Sequence, residues 1–146
     1  MREILFRGKS RDTNKWVLGD FVSNACGISY EECLNENGDI GYIMTYVIPE
    51  TVGQYTGLTD KNGKKIFEGD ILKAKTLDTN SEQIAVVGFG NFVDKNNDDE
   101  YLGFYIEFDG IKTTATQLFL EEVKCRIEVI GNIHDSPKLL KEGENG

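Results

Sequence analysis

The chain has 146 residues and a formal net charge of −9, with 39% hydrophobic and 10% aromatic residues. That apolar content is enough for a hydrophobic core and excludes wholesale disorder, while the acidic balance opposes a nucleic-acid-binding protein, which carries a basic surface. The sequence has no run of 18 apolar residues and no signal-peptide hydrophobic region after Met1, so we expect neither a membrane span nor secretion.

The first 50 residues predict a small β lobe. Residues 4–7 form a first strand, and Trp16 begins the return strand after a polar turn. Trp16 is predicted to be a core residue, because large aromatic side chains dominate small cores. Residues 28–35 are ambiguous between a strand and a short helix, and residues 40–48 favour a strand because they are rich in β-branched and aromatic side chains.

The central stretch, residues 51–75, carries the strongest turn signals. Asn62-Gly63 predicts a tight hairpin, and Gly69 predicts a corner that only glycine accepts easily. Glu68 and Asp70 flank that corner. They are either a carboxylate pair for acid–base or metal chemistry, or a solvated corner in which Asp70 binds backbone amides. The second interpretation is favoured, since short acidic side chains at turns usually serve the backbone.

After the central stretch, residues 83–89 predict a strand that breaks near Gly88 and Gly90, followed by an exposed acidic loop over residues 94–100. Residues 101–108 then alternate in a way that is typical of a strand with one buried face. That face is predicted to carry the following side chains: Leu102, Phe104, Ile106 and Phe108.

The last third predicts a hairpin turn at Asp109-Gly110, a short helical segment over residues 117–124 and a final strand over residues 126–130. Ser136 and Pro137 suit the start of a short C-terminal helix. The fold class is therefore mainly β, an antiparallel sheet or small barrel, SH3-like in its C-terminal part. We expect three regions, a β lobe over residues 1–50, a barrel-like lobe over 51–140 and a flexible tail over 141–146.

Several of these segments resemble the YopX-like family of small phage and prophage proteins. The resemblance rests on three central motifs, an N-terminal pattern and a closing segment: Gln54-Tyr55-Thr56-Gly57-Leu58, Asp60-Lys61-Asn62-Gly63-Lys64, Glu68-Gly69-Asp70-Ile71, Phe6-Arg7-Gly8-Lys9 with Trp16 and Gly19, and residues 131–140. It implies a phage or prophage origin and no established activity. It also marks eleven residues as structural-motif or interaction residues: Arg7, Trp16, Tyr55, Asp60, Asn62, Gly63, Glu68, Gly69, Asp70, Asn132 and His134.

The sequence predicts no catalytic residue, no metal and no cofactor. Cys26, Cys33, Cys125 and His134 supply enough ligands for zinc, but no Cys-x-x-Cys pair exists. The cysteines are expected to be reduced thiols in the cytoplasm. Residues 94–99 begin like a calcium loop but lack glycine at the sixth position. Common phosphate-loop and hydrolase motifs are absent from the sequence.

Three functions remain open. The first is a non-enzymatic, self-associating module that binds a host or phage protein in the cytoplasm of a bacterial host. The second is a nucleic-acid-associated or DNA-mimicking regulator, since residues 1–15 and 61–75 each carry a net charge of +3. If the first strand lies beside the Asn62-Gly63 hairpin, these segments place four cations on one face: Arg7, Lys9, Lys64 and Lys65. The third is an uncharacterised enzyme that uses Asp70 or His134.

Overall fold

The computed structural model describes residues 3–75, 81–94, 98–115 and 126–140. This part of the chain is dominated by eleven β-strands, so the predicted mainly-β fold is confirmed. The strands are β1 (Phe6–Lys9), β2 (Trp16–Val22), β3 (Gly27–Cys33), β4 (Ile40–Tyr46), β5 (Gly53–Thr59), β6 (Lys65–Phe67), β7 (Asp70–Lys75), β8 (Glu82–Val93), β9 (Glu100–Phe108), β10 (Ile111–Thr114) and β11 (Ile127–Asn132). A single turn of 3-10 helix, Pro49–Thr51, lies between β4 and β5.

The chain divides into two compact units, Met1–Tyr55 and Thr56–Gly146. Strand β5 crosses from the first unit into the second. Its first residues, Gly53 and Gln54, pair with β1, and β6 is its neighbour on the other side.

The first unit is an antiparallel sheet in the order β4-β3-β2-β1-β5. Residues 28–35, ambiguous in the sequence, lie largely in strand β3, which pairs with β4 from Gly27↔Tyr46 to Cys33↔Ile40. The partners of β1 are β2 and the start of β5. Strand β1 thus pairs with the start of the strand that leads into the Asn62-Gly63 hairpin, and the shared face of the four cations stays a prediction.

The interior of the first unit centres on Ile28 and Val47, neither of which is exposed. Val47 packs against Gly8, where an added Cβ atom would stand only 3.0 Å from the Val47 Cβ. The Val47 amide donates to Cys26 O (3.0 Å), and Ser10 forms an isolated bridge with Val47. The end of β4 is thereby joined to the end of β1.

The second unit contains an antiparallel sheet in the order β10-β9-β8-β7-β11. The last strand in sequence, β11, pairs with β7, and a bulge at Ile130 shifts the register between Val129 and Gly131. Within the described residues both sheets are open rather than closed into a barrel. The core of this unit is apolar and well buried: Leu58, Ile66, Leu72, Val87, Ala115, Ile127 and Val129.

Strand β8 runs unbroken for twelve residues, so the predicted break near Gly88 and Gly90 was wrong. Gly88 lies opposite Tyr105 on β9. A Cβ atom at Gly88 would stand 2.4 Å from the Tyr105 ring. The glycine therefore makes room for an aromatic ring and does not end the strand.

The last described residues form a short helix, as predicted. Residues 138–140 are helical, and the amides of Leu139 and Leu140 donate to the carbonyls of Ser136 and Pro137. The predicted helical segment over residues 117–124 and the predicted tail over 141–146 lie outside the described residues. Among the described residues, no helix has the length and apolar character needed to cross a membrane.

Candidate functional site

The Asn62-Gly63 hairpin is built around the carboxylate of Asp60, which is only 1% exposed. Asp60 Oδ1 accepts hydrogen bonds from the amides of Asn62 and Lys64, both at 2.9 Å. Asp60 Oδ2 accepts from the amide of Val129 on β11, also at 2.9 Å. One side chain therefore shapes the turn and fixes it to a strand 69 residues further along the chain.

These hydrogen bonds also set the charge state of Asp60. Burial alone would raise the pKa of this carboxyl group, because it disfavours the charged form. The amides of Val129, Lys64 and Asn62, together with the positive charge of Lys64, outweigh burial and lower the pKa below its ordinary value. Asp60 is therefore held as a carboxylate, with its oxygens directed at backbone donors.

The Gly69 corner is stabilised in the same way. Gly69 has a φ of 92°, in the left-handed region predicted for it. Asp70 is 1% exposed, and its Oδ2 accepts a hydrogen bond of 2.8 Å from the amide of Phe67. The carboxylate of Asp70 thus binds a backbone amide, as the favoured interpretation predicted. The corner is not solvated as that interpretation expected, because Asp70 is buried and Glu68 is half-buried.

The closing segment makes a third turn of this kind. Asn132 Oδ1 accepts from the amides of His134 (3.0 Å) and Asp135 (2.9 Å). The Asn132 carbonyl accepts from the amide of Ser136. His134 is half-buried in this turn, so its backbone position is set by Asn132.

Strand pairing brings the second and third turns together. Asn132 lies opposite Asp70 in the pairing of β11 with β7. The amide of Ile133 donates to the carbonyl of Gly69 at 2.9 Å, and the amide of Gly69 donates to Val87 on β8. Strand pairing and backbone hydrogen bonds therefore connect the Gly69 corner to the Asn132 turn and to β8.

The N-terminal motif residues lie in the first unit. The guanidinium carbon of Arg7 stands 4.8 Å, and the Lys9 Nζ 5.6 Å, from the centre of the Trp16 ring. Trp16 is half-buried and packs under two cations, so the prediction of a core residue was wrong. Tyr55 is buried and its amide donates to Leu5 O.

The described residues contain no group of three or more acidic, cysteine or histidine side chains placed to hold a metal ion. Cys125 lies outside these residues, so the alternatives that pair it with His134 stay predictions. One residue of the acidic loop predicted to be exposed, Asp94, is buried, while Asp98, Asp99 and Glu100 are exposed. Asp94 is 3% exposed and accepts a hydrogen bond of 3.1 Å from the amide of Thr114, since it closes the base of the loop instead of facing solvent.

Two exposed apolar surfaces were not predicted. The first, the β4 row, is formed by the side chains that alternate along one face of that strand: Ile40, Tyr42, Met44 and Tyr46. The second, the hairpin row, lies on β8 and β9 and comprises Phe89, Val93 and Leu102. Leu102 is 69% exposed, so its predicted place on a buried face was wrong.

The hairpin row arises because, on one face, the β8–β9 hairpin extends past the core, whereas Phe92 on the other face is buried. Val87 is buried opposite Ile106, and the next residue pair on the same face is Phe89 with Phe104. Those two rings meet edge to face, with centroids 5.0 Å apart. One pair further, Leu102 projects into solvent. The alternation in the sequence predicts which side chains of β9 share one face. It does not predict the position along the strand at which that face leaves the core.

A family model for the YopX protein matches residues 5–141, and the chain belongs to this family. Among solved structures it is similar to the crystal structure of protein EF1440 from Enterococcus faecalis. The TM-score is 0.54 at 20% identity, over 96% of this chain and 99% of that one, so the likeness shows a shared fold. No curated protein matches the chain.

Proposed function

We propose that this chain is a non-enzymatic accessory protein of a phage or prophage that acts in the cytoplasm of the bacterial host. In this proposal it is a protein-interaction module that binds a host or phage protein and also a second copy of itself. The Asp60 and Asp70 carboxylates accept hydrogen bonds from backbone amides, and in this proposal their role is structural. Among the described residues, the exposed apolar rows are the surfaces that we expect to bind a partner.

The observation that carries the proposal is the hairpin row. Phe89 is 50% and Val93 53% exposed, with Leu102 between them on the neighbouring strand. Burying a large apolar side chain stabilises a complex by about 1.5–3 kcal/mol relative to leaving it in water. A contiguous exposed patch of such side chains is typical of a protein-binding surface.

The charges beside the hairpin row select the class of partner. Asp98, Asp99 and Glu100 are exposed at the end of the hairpin, and Glu100 lies opposite Val93. These carboxylates repel phosphate groups and attract cations. We therefore expect a partner protein with an apolar centre and basic side chains around it, in preference to nucleic acid.

The test compares capture by the intact chain and by variants of the hairpin row. The full chain is immobilised and exposed to nuclease-treated lysate of the host bacterium, and retained proteins are quantified by mass spectrometry. Phe89→Ser/Leu102→Ser should lose the specific partner. The matched control, Ile4→Ser/Leu18→Ser, also removes two exposed apolar side chains but should retain it.

Equal capture by both double variants would contradict the role of the hairpin row. Material retained only without nuclease would instead support the nucleic-acid alternative. Loss of capture in Tyr42→Ser alone would move the partner to the β4 row.

A further inference from the structure

We infer that the open edge of β4 is the surface through which two copies of this chain pair, in an antiparallel register centred on Tyr42. The inference rests on the self-association proposed above and names its surface. It is independent of the partner bound by the hairpin row.

The first step is the direction of the backbone groups of β4. The Val47 amide donates to Cys26 O, and the Leu34 amide donates to Asp39 O, at the two ends of the β3–β4 pairing. Antiparallel pairs alternate between hydrogen-bonded and non-hydrogen-bonded positions. Consequently the odd-numbered residues of β4 bond to β3, and the even-numbered residues direct their N–H and C=O groups to the other side.

That other side is a sheet edge. Among the residues that the structure describes, strand β4 is the terminal strand of its sheet. The contact made there at Tyr46, whose carbonyl accepts from the amide of Arg11 at 3.0 Å, agrees with the alternation. Three residues keep both backbone groups directed to the open edge, and the same three carry exposed apolar side chains: Ile40, Tyr42 and Met44. An uncovered edge of this kind is a template for another strand.

The accessibility of this edge follows from the burial of the β3–β4 hairpin. The last three residues of β3 are exposed, and β4 alternates between exposed and half-buried along its whole length. Tyr42 is 75% and Ile40 65% exposed. The side chains at the distal end of the hairpin are therefore exposed to solvent.

Charge and self-complementarity indicate that a second copy of this chain binds at the β4 edge. Strand β4 carries no charged residue, so no like charges lie directly opposite each other in the paired strands despite the net charge of −9. Acidic side chains, Glu36 and Asp39, precede the strand, and Arg11 lies at its other end. Antiparallel pairing brings Arg11 of each copy towards the acidic turn of the other.

The register of the two paired β4 strands follows from the backbone groups that β4 directs to the open edge. Because the Tyr46 carbonyl already accepts from Arg11, the pairing uses residues 40–44 alone. The symmetric solution places Tyr42 opposite Tyr42 of the second copy and Ile40 opposite Met44. The two β4 rows then form one continuous apolar ladder on the same face of the joined sheets, and cross-strand pairs of this kind stabilise a sheet.

Light scattering tests the pairing. The intact chain should have twice the mass of a single chain, which is 16.4 kDa. Tyr42→Pro removes an outward N–H group, which an edge strand tolerates, and should return the mass to that of one chain. The matched control Leu18→Lys changes an exposed apolar residue of β2 and should leave the dimer intact.

Charge reversal tests the ends of the paired strands. Arg11→Glu should weaken association about tenfold, since the symmetric pair loses two surface ion contacts. Adding Glu36→Arg to Arg11→Glu should restore it. A dimer insensitive to both changes would contradict the antiparallel arrangement.

Disulfide trapping tests the register, in a chain whose Cys26, Cys33 and Cys125 are replaced by serine. Directly opposed residues in a hydrogen-bonded pair have Cα atoms about 5.5 Å apart, which a disulfide spans. With copper–phenanthroline as oxidant, Tyr42→Cys should give a covalent dimer. Ile40→Cys should not, because the two copies of residue 40 lie about 13 Å apart in this register; a mixture of Ile40→Cys with Met44→Cys should.

The possible failures are distinguishable. An intact chain that stays at the mass of one copy at every concentration would overturn self-association, and with it this inference, while capture of a partner by the hairpin row is unaffected. A dimer that survives Tyr42→Pro, or that crosslinks equally through Ile40→Cys alone, would overturn only the β4 register. If another protein displaces the second copy from β4, the edge binds a foreign strand and the inference is wrong.

Discussion

At the scale of single residues, Asp60 shows most clearly what the family motif does. Three backbone amides from two elements share one carboxylate that is almost fully buried. A buried donor without a partner costs about 1–3 kcal/mol. The motif residue therefore stabilises the turn and its contact with β11.

We predict that Asp60→Ala lowers the free energy of unfolding by at least about 1–3 kcal/mol, the cost of one or more unsatisfied amides. Urea denaturation of the variant and of the intact chain measures the difference. Asp20→Ala, at an exposed position on β2, is the control and should change the midpoint little. Equal midpoints for the two variants would contradict the structural role of Asp60.

The pH dependence of this effect follows from the lowered pKa of Asp60. Because the folded pKa lies below the unfolded value of about 3.9, the carboxylate adds stability above that value. The contribution is lost as the pH falls through the folded pKa. Urea titrations at pH 7, 5 and 3 should therefore show the difference between the intact chain and Asp60→Asn shrinking towards pH 3; a difference that grows on acidification would show that the pKa is raised.

At the scale of elements, we expect the same substitution at two glycines with different surroundings to have opposite effects on stability. Gly69 has a φ of 92°, so Gly69→Val forces a β-branched residue into a disfavoured region and should cost roughly 1–3 kcal/mol. Gly103 has no atom within 4 Å of its added Cβ, so Gly103→Val should be tolerated. Denaturant midpoints measure both, and equal losses would show that general strand disruption, not the left-handed corner, is responsible.

The turn of Asp70 offers a second check on the same corner. Asp70→Ala removes the acceptor of the Phe67 amide and should cost about 1 kcal/mol in the same urea experiment. An unchanged midpoint would remove the structural explanation for this carboxylate and favour the acid–base interpretation of the Glu68–Asp70 pair.

The sequence predicts features that depend on neighbouring residues. It does not predict features that depend on contacts between residues far apart in the chain. Asn62-Gly63 and Asp109-Gly110 form turns at the predicted places, because the backbone dihedrals depend on the turn residues themselves. The bond from Val129 to Asp60 spans 69 residues, and no short pattern encodes it. The same limit explains why Gly88 appeared to break a strand, since its reason is the ring of Tyr105 on the next strand.

The exposed rows were hidden from sequence analysis for a related reason. Strand β4 is apolar or uncharged throughout, which is the pattern expected of a strand buried on both faces. Its place at the end of the sheet leaves one face and one edge uncovered. Position in the sheet is a property of the whole unit, so composition alone predicts a strand and not its exposure.

At the scale of the whole molecule, the acidic balance makes a prediction about nucleic acid. The net charge of −9 and the exposed carboxylates beside the hairpin row oppose a polyanion. We expect no measurable duplex binding at physiological salt, or affinity no tighter than about 10⁻⁴ M. Fluorescence anisotropy with labelled duplex measures this; micromolar binding that is lost in Lys64→Glu/Lys65→Glu would promote the nucleic-acid alternative.

The central claim is that buried motif residues build the fold while the exposed hairpin row binds the partner. It is tested most directly by measuring the unfolding midpoint and partner capture on the same two variants, Asp60→Asn and Leu102→Lys. Asp60→Asn should lower the midpoint and retain the partner under conditions where the chain is folded. Leu102→Lys should leave the midpoint unchanged and lose the partner. The reverse result, with capture lost in folded Asp60→Asn and kept in Leu102→Lys, would place the binding site in the motif and contradict the account.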